Sequence, residues 1–271
     1  MQKTRFILPN AFTSMNFLLG VFAIGWATGM FAGIFPKTDP IRMGSYFIVL
    51  CVLLDKLDGF AARLVNASSE FGAQYDSLAD LIAFGLAPAF CLFFSYKMNA
   101  PEWTKTNIIF LLIVFSVYVL CAAMRLAKYN AFDADTYKGY FSGLPSTFAG
   151  ALNVVFLSFA TSYNLFGCAK ENPNLLYLPV MVMLVSAFLM VSPLFLPKIQ
   201  LRKNKWLNIF QMANVIATYI CGFLFVTPLP FVREYLLLLN VCYLVIGFSL
   251  GIFHREEILK QAEEQKKLNS N

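Results

Sequence analysis

The chain has few charged residues and a single histidine. Asp, Glu, Lys and Arg make up 13% of its 271 residues, against about a quarter in an ordinary soluble domain. One histidine, His254, cannot build a metal centre from several imidazoles. The six cysteines are scattered without a Cys-x-x-Cys pair, so no disulfide framework is expected. No patch of interleaved basic and aromatic residues occurs, which argues against nucleic acid as a partner.

Long apolar runs take the place of the missing charge. Hydrophobic residues make up 59% of the chain, and a helix needs about 20 of them in succession to cross a bilayer. We therefore predict an all-α, polytopic integral membrane protein with about eight transmembrane helices. Their expected bounds are 11–35, 45–65, 72–96, 106–127, 146–166, 175–195, 207–227 and 233–253. Within the third, Gly85 and Pro88 should bend the helix.

Lysine and arginine give the expected orientation and domain plan. They are concentrated in the loops that share a side with both termini, which predicts an N-in, C-in topology. The net charge of +6 suits contact with anionic membrane lipids. We expect one membrane domain at residues 1–255, with its functional motif at 55–80. A charged, helix-prone cytoplasmic tail should follow at 256–271.

Four aspartates interrupt the second and third apolar runs. Asp55 and Asp58 are three residues apart, and Asp76 and Asp80 are four apart, so each pair shares one helix face. A single aspartate at the centre of a membrane helix costs about 2.5–3.5 kcal/mol, a cost that a bound cation offsets. With oxygen ligands only, the cation should be Mg²⁺, Mn²⁺ or Ca²⁺. Antiparallel helices would set Asp58 opposite Asp76 and Asp55 opposite Asp80, an arrangement suited to two ions about 3.5–4 Å apart.

Small residues and an arginine accompany the aspartates. Gly59 and Ala62 leave room for a ligand, and Arg63 can meet a phosphate. The whole pattern, Asp-x2-Asp-Gly-x2-Ala-Arg-x8-Gly-x3-Asp-x3-Asp, resembles the signature of the CDP-alcohol phosphatidyltransferases. All eight fixed positions of that signature are present, Gly72 among them. The resemblance covers most of residues 8–155.

Three other segments are similar to bacterial phosphatidylserine synthases within that family. Residues 125–130 (RLAKYN) resemble their Arg-Leu-Ala-Arg-Phe-Asn segment, and residues 143–145 (GLP) resemble their Gly-Leu-Pro segment. Residues 9–13 (PNAFT) resemble the entry to their first helix. This chain departs by carrying Lys128, Tyr129 and Thr147 where Arg, Phe and Pro are common in those enzymes.

The resemblance implies a reaction and a set of roles. The expected reaction transfers a phosphatidyl group from CDP-diacylglycerol to L-serine and releases CMP, in a bacterial inner membrane with the site facing the cytoplasm. Asp55, Asp58, Asp76 and Asp80 would hold the metal ions, and Asp80 would also be the general base. The CDP-lipid would be bound by Asn10, Thr13, Gly59, Ala62, Arg63 and Gly72. The acceptor would be bound by Arg125 and Lys128.

Two alternatives and the oligomeric state stay open at the sequence level. Another acceptor, such as glycerol 3-phosphate or inositol phosphate, would keep the family chemistry but call for a more basic pocket. A cation transporter also retains acids within the membrane, although its acids should spread across the bilayer and accompany an inverted repeat. The sequence leaves a homodimer open.

Overall fold

The computed structural model describes residues 7–64, 70–100, 104–133, 137, 139–168, 172–198, 205–227 and 229–269, and these are mainly helical. The helices are α1 (Ile7–Ala27), α2 (Pro40–Leu64), α3 (Glu70–Asp80), α4 (Ala87–Asn99), α5 (Lys105–Lys128), α6 (Ser146–Ser162), α7 (Leu165–Cys168), α8 (Leu178–Val191), α9 (Lys205–Leu224), α10 (Pro230–Phe253) and α11 (Arg255–Asn269). Two π-helical segments (Leu81–Leu86, Tyr129–Asp133), a 3-10 helix (Pro173–Tyr177) and two short strands, β1 (Tyr140–Ser142) and β2 (Phe195–Pro197), complete the fold.

The described helices confirm an all-α polytopic membrane bundle. Five helical stretches are long and apolar enough to cross a bilayer: Asn10–Ala27, Glu70–Asn99, Lys105–Phe132, Asn174–Val191 and Phe231–Phe253. Ser146–Ser162 and Gln211–Leu224 are apolar but shorter. The 25-residue α2 is a continuous helix, but the charged residues of the motif interrupt its apolar sequence. The total of eight spans and the N-in, C-in orientation therefore stay predictions.

Three expected spans end at least four residues early in the structure: the first, the sixth, and the fifth, whose helix α6 ends at Ser162 rather than at residue 166. The first was expected to reach residue 35, but α1 ends at Ala27. Gly29 follows with a φ of 81°, a left-handed conformation in which a right-handed helix does not continue. The sixth was expected to reach residue 195, but α8 ends at Val191, and the chain turns into β2 at Phe195.

A two-stranded ribbon is the main feature that the sequence analysis missed. β1 and β2 pair antiparallel, with Phe141 opposite Leu196. The ribbon is packed tightly against its neighbours, since a Cβ added to Gly251 of α10 would lie 1.7 Å from the Phe195 carbonyl oxygen. At Gly143, directly after β1, φ is 74° and an added Cβ would lie 2.4 Å from the Met190 carbonyl oxygen. Only glycine fits these two close approaches.

A π-helical segment lies where the third span was expected to bend. Residues 81–86 follow Asp80 directly, and Pro88 lies one turn further on. In an α-helix the carbonyl of Phe84 would accept from the N–H of residue 88, which proline lacks. The fully buried hydroxyl of Tyr118 donates to that carbonyl instead, at 2.9 Å. This bond from α5 therefore supports the irregular turn beside the aspartates.

Candidate functional site

Three of the four predicted aspartates meet in the structure. One carboxylate oxygen each from Asp55 of α2 and from Asp76 and Asp80 of α3 lies within 4.8 Å of the other two. Asp80 is buried at 7% exposure, and the other two are half-buried. The helical spacing of Asp76 and Asp80 places both on one face of α3, as the sequence predicts, and that face meets Asp55. Asp58 belongs to α2, but its side chain lies outside the described residues.

Helix α1 holds the two aspartate-bearing helices together. The hydroxyl of Tyr75, which precedes Asp76, donates to Ser14 Oγ of α1 at 3.0 Å. One turn beyond Asp80, a Cβ added to Gly20 would lie 3.0 Å from the Ala83 Cα, so the two backbones nearly touch there. α1 packs along α2 as well as against α3. The convergence of the carboxylates is thus set by a three-helix contact.

The predicted residues of α1 lie on or near this contact. Thr13 is 4% exposed, and Asn10, which was grouped with it as a donor-binding residue, is half-buried. Gly72 is half-buried at the start of α3. The backbone of α2 includes Gly59, Ala62 and Arg63, but the surroundings of these three residues lie outside the described part of the chain.

Thr147 contacts the carboxylate cluster, which the sequence analysis did not foresee. Its hydroxyl donates to Asp55 Oδ2 at 3.3 Å from the first turn of α6. The helix begins after Pro145, whose extended backbone at the N-cap directs the first turn. The positive end of the α6 dipole adds to the electrostatic support of Asp55. In the sequence, Thr147 stands out only because proline is common at this position in the related enzymes. Its contact with Asp55 becomes visible only in the tertiary structure.

The end of α5 carries Arg125 and Lys128, and the segment that follows it contacts the aspartate-bearing helix α3. Arg125 is 7% exposed, and its guanidinium lies 5.0 Å from the centre of the Tyr129 ring. Asn130 Nδ2 donates to Ser77 Oγ at 2.8 Å, which ties this segment to α3 next to Asp76. The structure therefore connects the segment that carries Arg125 to the aspartate helix.

Lys128, the second predicted acceptor residue, contacts the ribbon. Its Nζ donates to Ser142 Oγ at 2.9 Å. This contact fastens the end of α5 to β1, directly before the turn that leads into α6. Lys128 therefore holds the end of α5 against the ribbon in addition to contributing its charge.

The donor set fits a divalent cation. Three carboxylates this close repel one another strongly unless a cation or protons neutralise them. Oxygen ligands at the end of membrane helices select hard ions such as Mg²⁺ or Mn²⁺ over thiophilic ones. Asp55, Asp76 and Asp80 could hold such an ion, with Thr147 orienting the first of them.

Comparisons with known proteins agree with this geometry. The CDP-alcohol phosphatidyltransferase family matches residues 6–192. A Helicobacter pylori protein named CDP-diacylglycerol–serine O-phosphatidyltransferase is 29% identical over 255 residues, which cover 94% of both chains. Proteins with the same name from Mycobacterium tuberculosis and Saccharomyces cerevisiae are 35% identical over 155 residues and 40% identical over 116 residues. These two matches cover 55% and 40% of this chain, and 48% and 39% of those proteins.

Proposed function

Because the chain belongs to the CDP-alcohol phosphatidyltransferase family, we propose that it transfers a phosphatidyl group from CDP-diacylglycerol to L-serine, giving phosphatidylserine and CMP. The observation that carries this proposal is the convergence of Asp55, Asp76 and Asp80 at the end of membrane helices. The choice of serine is supported by the H. pylori relative, which is named for this reaction and aligns along nearly the whole chain.

The carboxylates would hold the divalent metal that the family generally requires. We assign Asp55, Asp58, Asp76 and Asp80 as ligands of Mg²⁺ or Mn²⁺, in a site for two ions. Cations held there would supply positive charge to neutralise the pyrophosphate of the donor lipid and to stabilise the departing CMP. The four carboxylates fix where those charges can bind, and the burial of Asp80 strengthens the interaction by excluding water.

Asp80 has a second role as general base. It accepts the proton of the serine hydroxyl while the serine oxygen forms a bond to the phosphorus of the phosphatidyl group. The bond from that phosphorus to the CMP oxygen breaks, and CMP leaves with the bonding electrons. A positioned carboxylate contributes typically about 10²–10⁴-fold to such a step. The buried position of Asp80 beside the other carboxylates supports this assignment.

The remaining predicted residues divide between donor and acceptor. We assign Asn10, Thr13, Gly59, Ala62, Arg63 and Gly72 to the CDP-lipid. Arg125, buried at the end of α5, is assigned to the serine carboxylate, since a guanidinium can bind a carboxylate through two hydrogen bonds. Lys128 supports it through its charge and its bond to Ser142.

The location of the substrates suits a membrane enzyme whose site faces the cytoplasm. Acyl chains of the donor stay in the bilayer, while cytidine and serine are water-soluble. The distribution of Lys and Arg favours this orientation, and the near-full-length H. pylori relative favours a bacterial inner membrane. We assign residues 1–255 to the membrane domain and 256–271 to a cytoplasmic tail, of which α11 forms the larger part.

An acceptor panel tests the proposed function. Purified protein is supplied with CDP-diacylglycerol, Mn²⁺ and, in separate reactions, L-serine, glycerol 3-phosphate or inositol phosphate, and the lipid products are identified by mass spectrometry. We expect CMP and phosphatidylserine in the serine reaction alone. Product formation with a phosphorylated alcohol instead would retain the family chemistry and reject serine as the acceptor.

A further inference from the structure

Helix α9 lies outside the stretch matched by the family, yet it packs beside the motif. The family match ends at residue 192, and α9 begins at Lys205. Its described neighbours are α2, which carries Asp55, and α10. The resemblance seen in the sequence, over most of residues 8–155, also ends before this helix. The position of α9 nevertheless makes it a candidate for contact with a substrate.

Three contacts set the register between α9 and α2. At one end, an Arg42 guanidinium nitrogen donates to the Val226 carbonyl. Further along, a Cβ added to Gly222 would lie 3.0 Å from Leu53 Cδ1. The Tyr219 hydroxyl donates to the Leu53 carbonyl at 3.5 Å. Residue numbers thus fall along α9 as they rise along α2, and the two helices are antiparallel.

The same register brings polar residues of α9 to the level of the motif. At 1.5 Å per residue, Asn214 and Gln211 lie alongside roughly residues 57–60 of α2. That stretch directly follows Asp55 and includes Asp58. The first half of α9 therefore runs beside the part of α2 that we assign to metal and donor lipid.

The inner face of α9 changes from apolar to polar at the level of the motif. Near Arg42 it is apolar and buried, with Cys221, Gly222 and Phe225. Beside the motif it is polar and half-buried, with Gln211, Asn214 and Thr218. The opposite face is apolar and exposed along both halves, with Met212, Ile216 and Ile220. Polar side chains on the inner face of a membrane helix hydrogen-bond to neighbouring helices, and those that line a cavity can also bind a substrate.

Asn214 is oriented by a contact with the neighbouring helix. The Tyr235 hydroxyl of α10 donates to Asn214 Oδ1 at 3.1 Å, which fixes the direction of this side-chain amide. Gln211 lies one turn away on the same face and is half-buried. A side-chain amide offers both hydrogen-bond donors and an acceptor.

The inner face of α9 carries no charged side chain beyond the first residue of the helix, Lys205. No Asp, Glu, Lys or Arg occurs from Trp206 to Leu224. A phosphorylated alcohol carries about two negative charges and would favour cations there. Amides both donate and accept, and so suit a small zwitterion that has an ammonium group, a carboxylate and a hydroxyl.

We propose that the inner face of α9, centred on Gln211 and Asn214, binds the acceptor and selects an unphosphorylated amino alcohol. This inference rests on the proposed transfer of a phosphatidyl group to an alcohol, and it assigns the choice of alcohol to a helix beyond the shared family region. Tyr235 is a positioning residue, because it acts through Asn214.

The test compares inner-face and outer-face variants of full-length purified protein. Gln211→Ala and Asn214→Ala remove the amides, while Met212→Ala and Ile216→Ala are matched controls on the lipid-facing side of the same helix. The KM for serine is measured at saturating CDP-diacylglycerol, and the KM for CDP-diacylglycerol at saturating serine. Thermal midpoints in detergent show whether each variant folds.

We expect the serine KM to rise about five- to tenfold in each inner-face variant, because each variant loses one hydrogen bond to serine. The KM for CDP-diacylglycerol and both control variants should stay at wild-type values. A wild-type serine KM in Gln211→Ala and Asn214→Ala would overturn the assignment of α9, as would a parallel rise in the donor KM. Wild-type protein that converts no serine would instead overturn the proposed function itself.

Discussion

The hydroxyl of Thr147 donates a hydrogen bond to Oδ2 of Asp55 across 3.3 Å, from the first turn of α6. This contact joins α6 to the carboxylate cluster and leaves Asp55 restrained in the direction of Asp76 and Asp80. Hydrogen bonds that orient a metal ligand in this way contribute to metal affinity as well as to geometry. The relationship therefore yields a prediction about metal binding.

Replacing Thr147 by Val should weaken divalent metal binding while leaving the fold intact. The change keeps the shape of the side chain but removes the donor, and hydrogen bonds to charged groups contribute about 1.5–3 kcal/mol, so we expect roughly a tenfold loss of Mn²⁺ affinity. The Mn²⁺ affinity is measured by electron paramagnetic resonance, which reports the concentration of free Mn²⁺. Thr147→Ser should restore affinity. Thr161→Val is the control, since that hydroxyl donates to backbone carbonyls of α6, among the described residues. Equal affinity in wild type and Thr147→Val would remove Thr147 from the site.

Asp80→Asn should reduce turnover by about 10²–10⁴-fold, because an amide cannot accept the serine proton. A loss of metal would produce a similar defect, so Mn²⁺ binding is measured on the same variant. Asp76→Asn serves for comparison as a ligand without the assigned proton-transfer role. If Asp80→Asn binds Mn²⁺ normally and still turns over at the wild-type rate, another group is the base.

Arg125→Ala should raise the serine KM by about ten- to a hundredfold, the loss expected for one charge-assisted contact. Lys128→Ala should have a smaller effect, because the Lys128 ammonium is engaged with Ser142 Oγ. Initial rates over a serine series, at fixed saturating donor, give both values. A selective rise in the KM for CDP-diacylglycerol would move Arg125 from the acceptor to the phosphates of the donor.

Tyr118→Phe should destabilise the turn after Asp80 by about 1–3 kcal/mol, since the buried Phe84 carbonyl loses its donor. The thermal midpoint in detergent should fall accordingly. Pro88→Ala provides the matched background, because residue 88 regains an N–H. In that background Tyr118→Phe should have a smaller effect. Equal destabilisation in both backgrounds would show that the hydroxyl does not compensate for the proline.

The spacing of the motif was sufficient to predict that carboxylates from α2 and α3 converge. Helical periodicity alone places Asp76 and Asp80 on one face, and an antiparallel turn to α2 brings that face to Asp55. The pairing of Asp55 with Asp80 and of Asp58 with Asp76 was a finer prediction. The structure brings Asp55 to both Asp76 and Asp80, and the side chain of Asp58 is outside the described residues.

Features that depend on distant partners could not be predicted in the same way. β1 and β2 are three residues each and more than fifty residues apart, so neither has a local pattern strong enough to reveal the ribbon. The contact of Thr147 with Asp55 spans 92 positions. The polar face of α9 is visible as a pattern in the sequence, but its meaning requires the register with α2 that Gly222 and Tyr219 reveal.

The most direct test of the central claim measures incorporation of radiolabelled serine into lipid by purified protein, with CDP-diacylglycerol present, before and after removal of divalent metal by EDTA. If the aspartates hold a cation that the transfer requires, chelation abolishes phosphatidylserine formation and added Mn²⁺ or Mg²⁺ restores it. Undiminished phosphatidylserine formation in excess chelator would contradict the account.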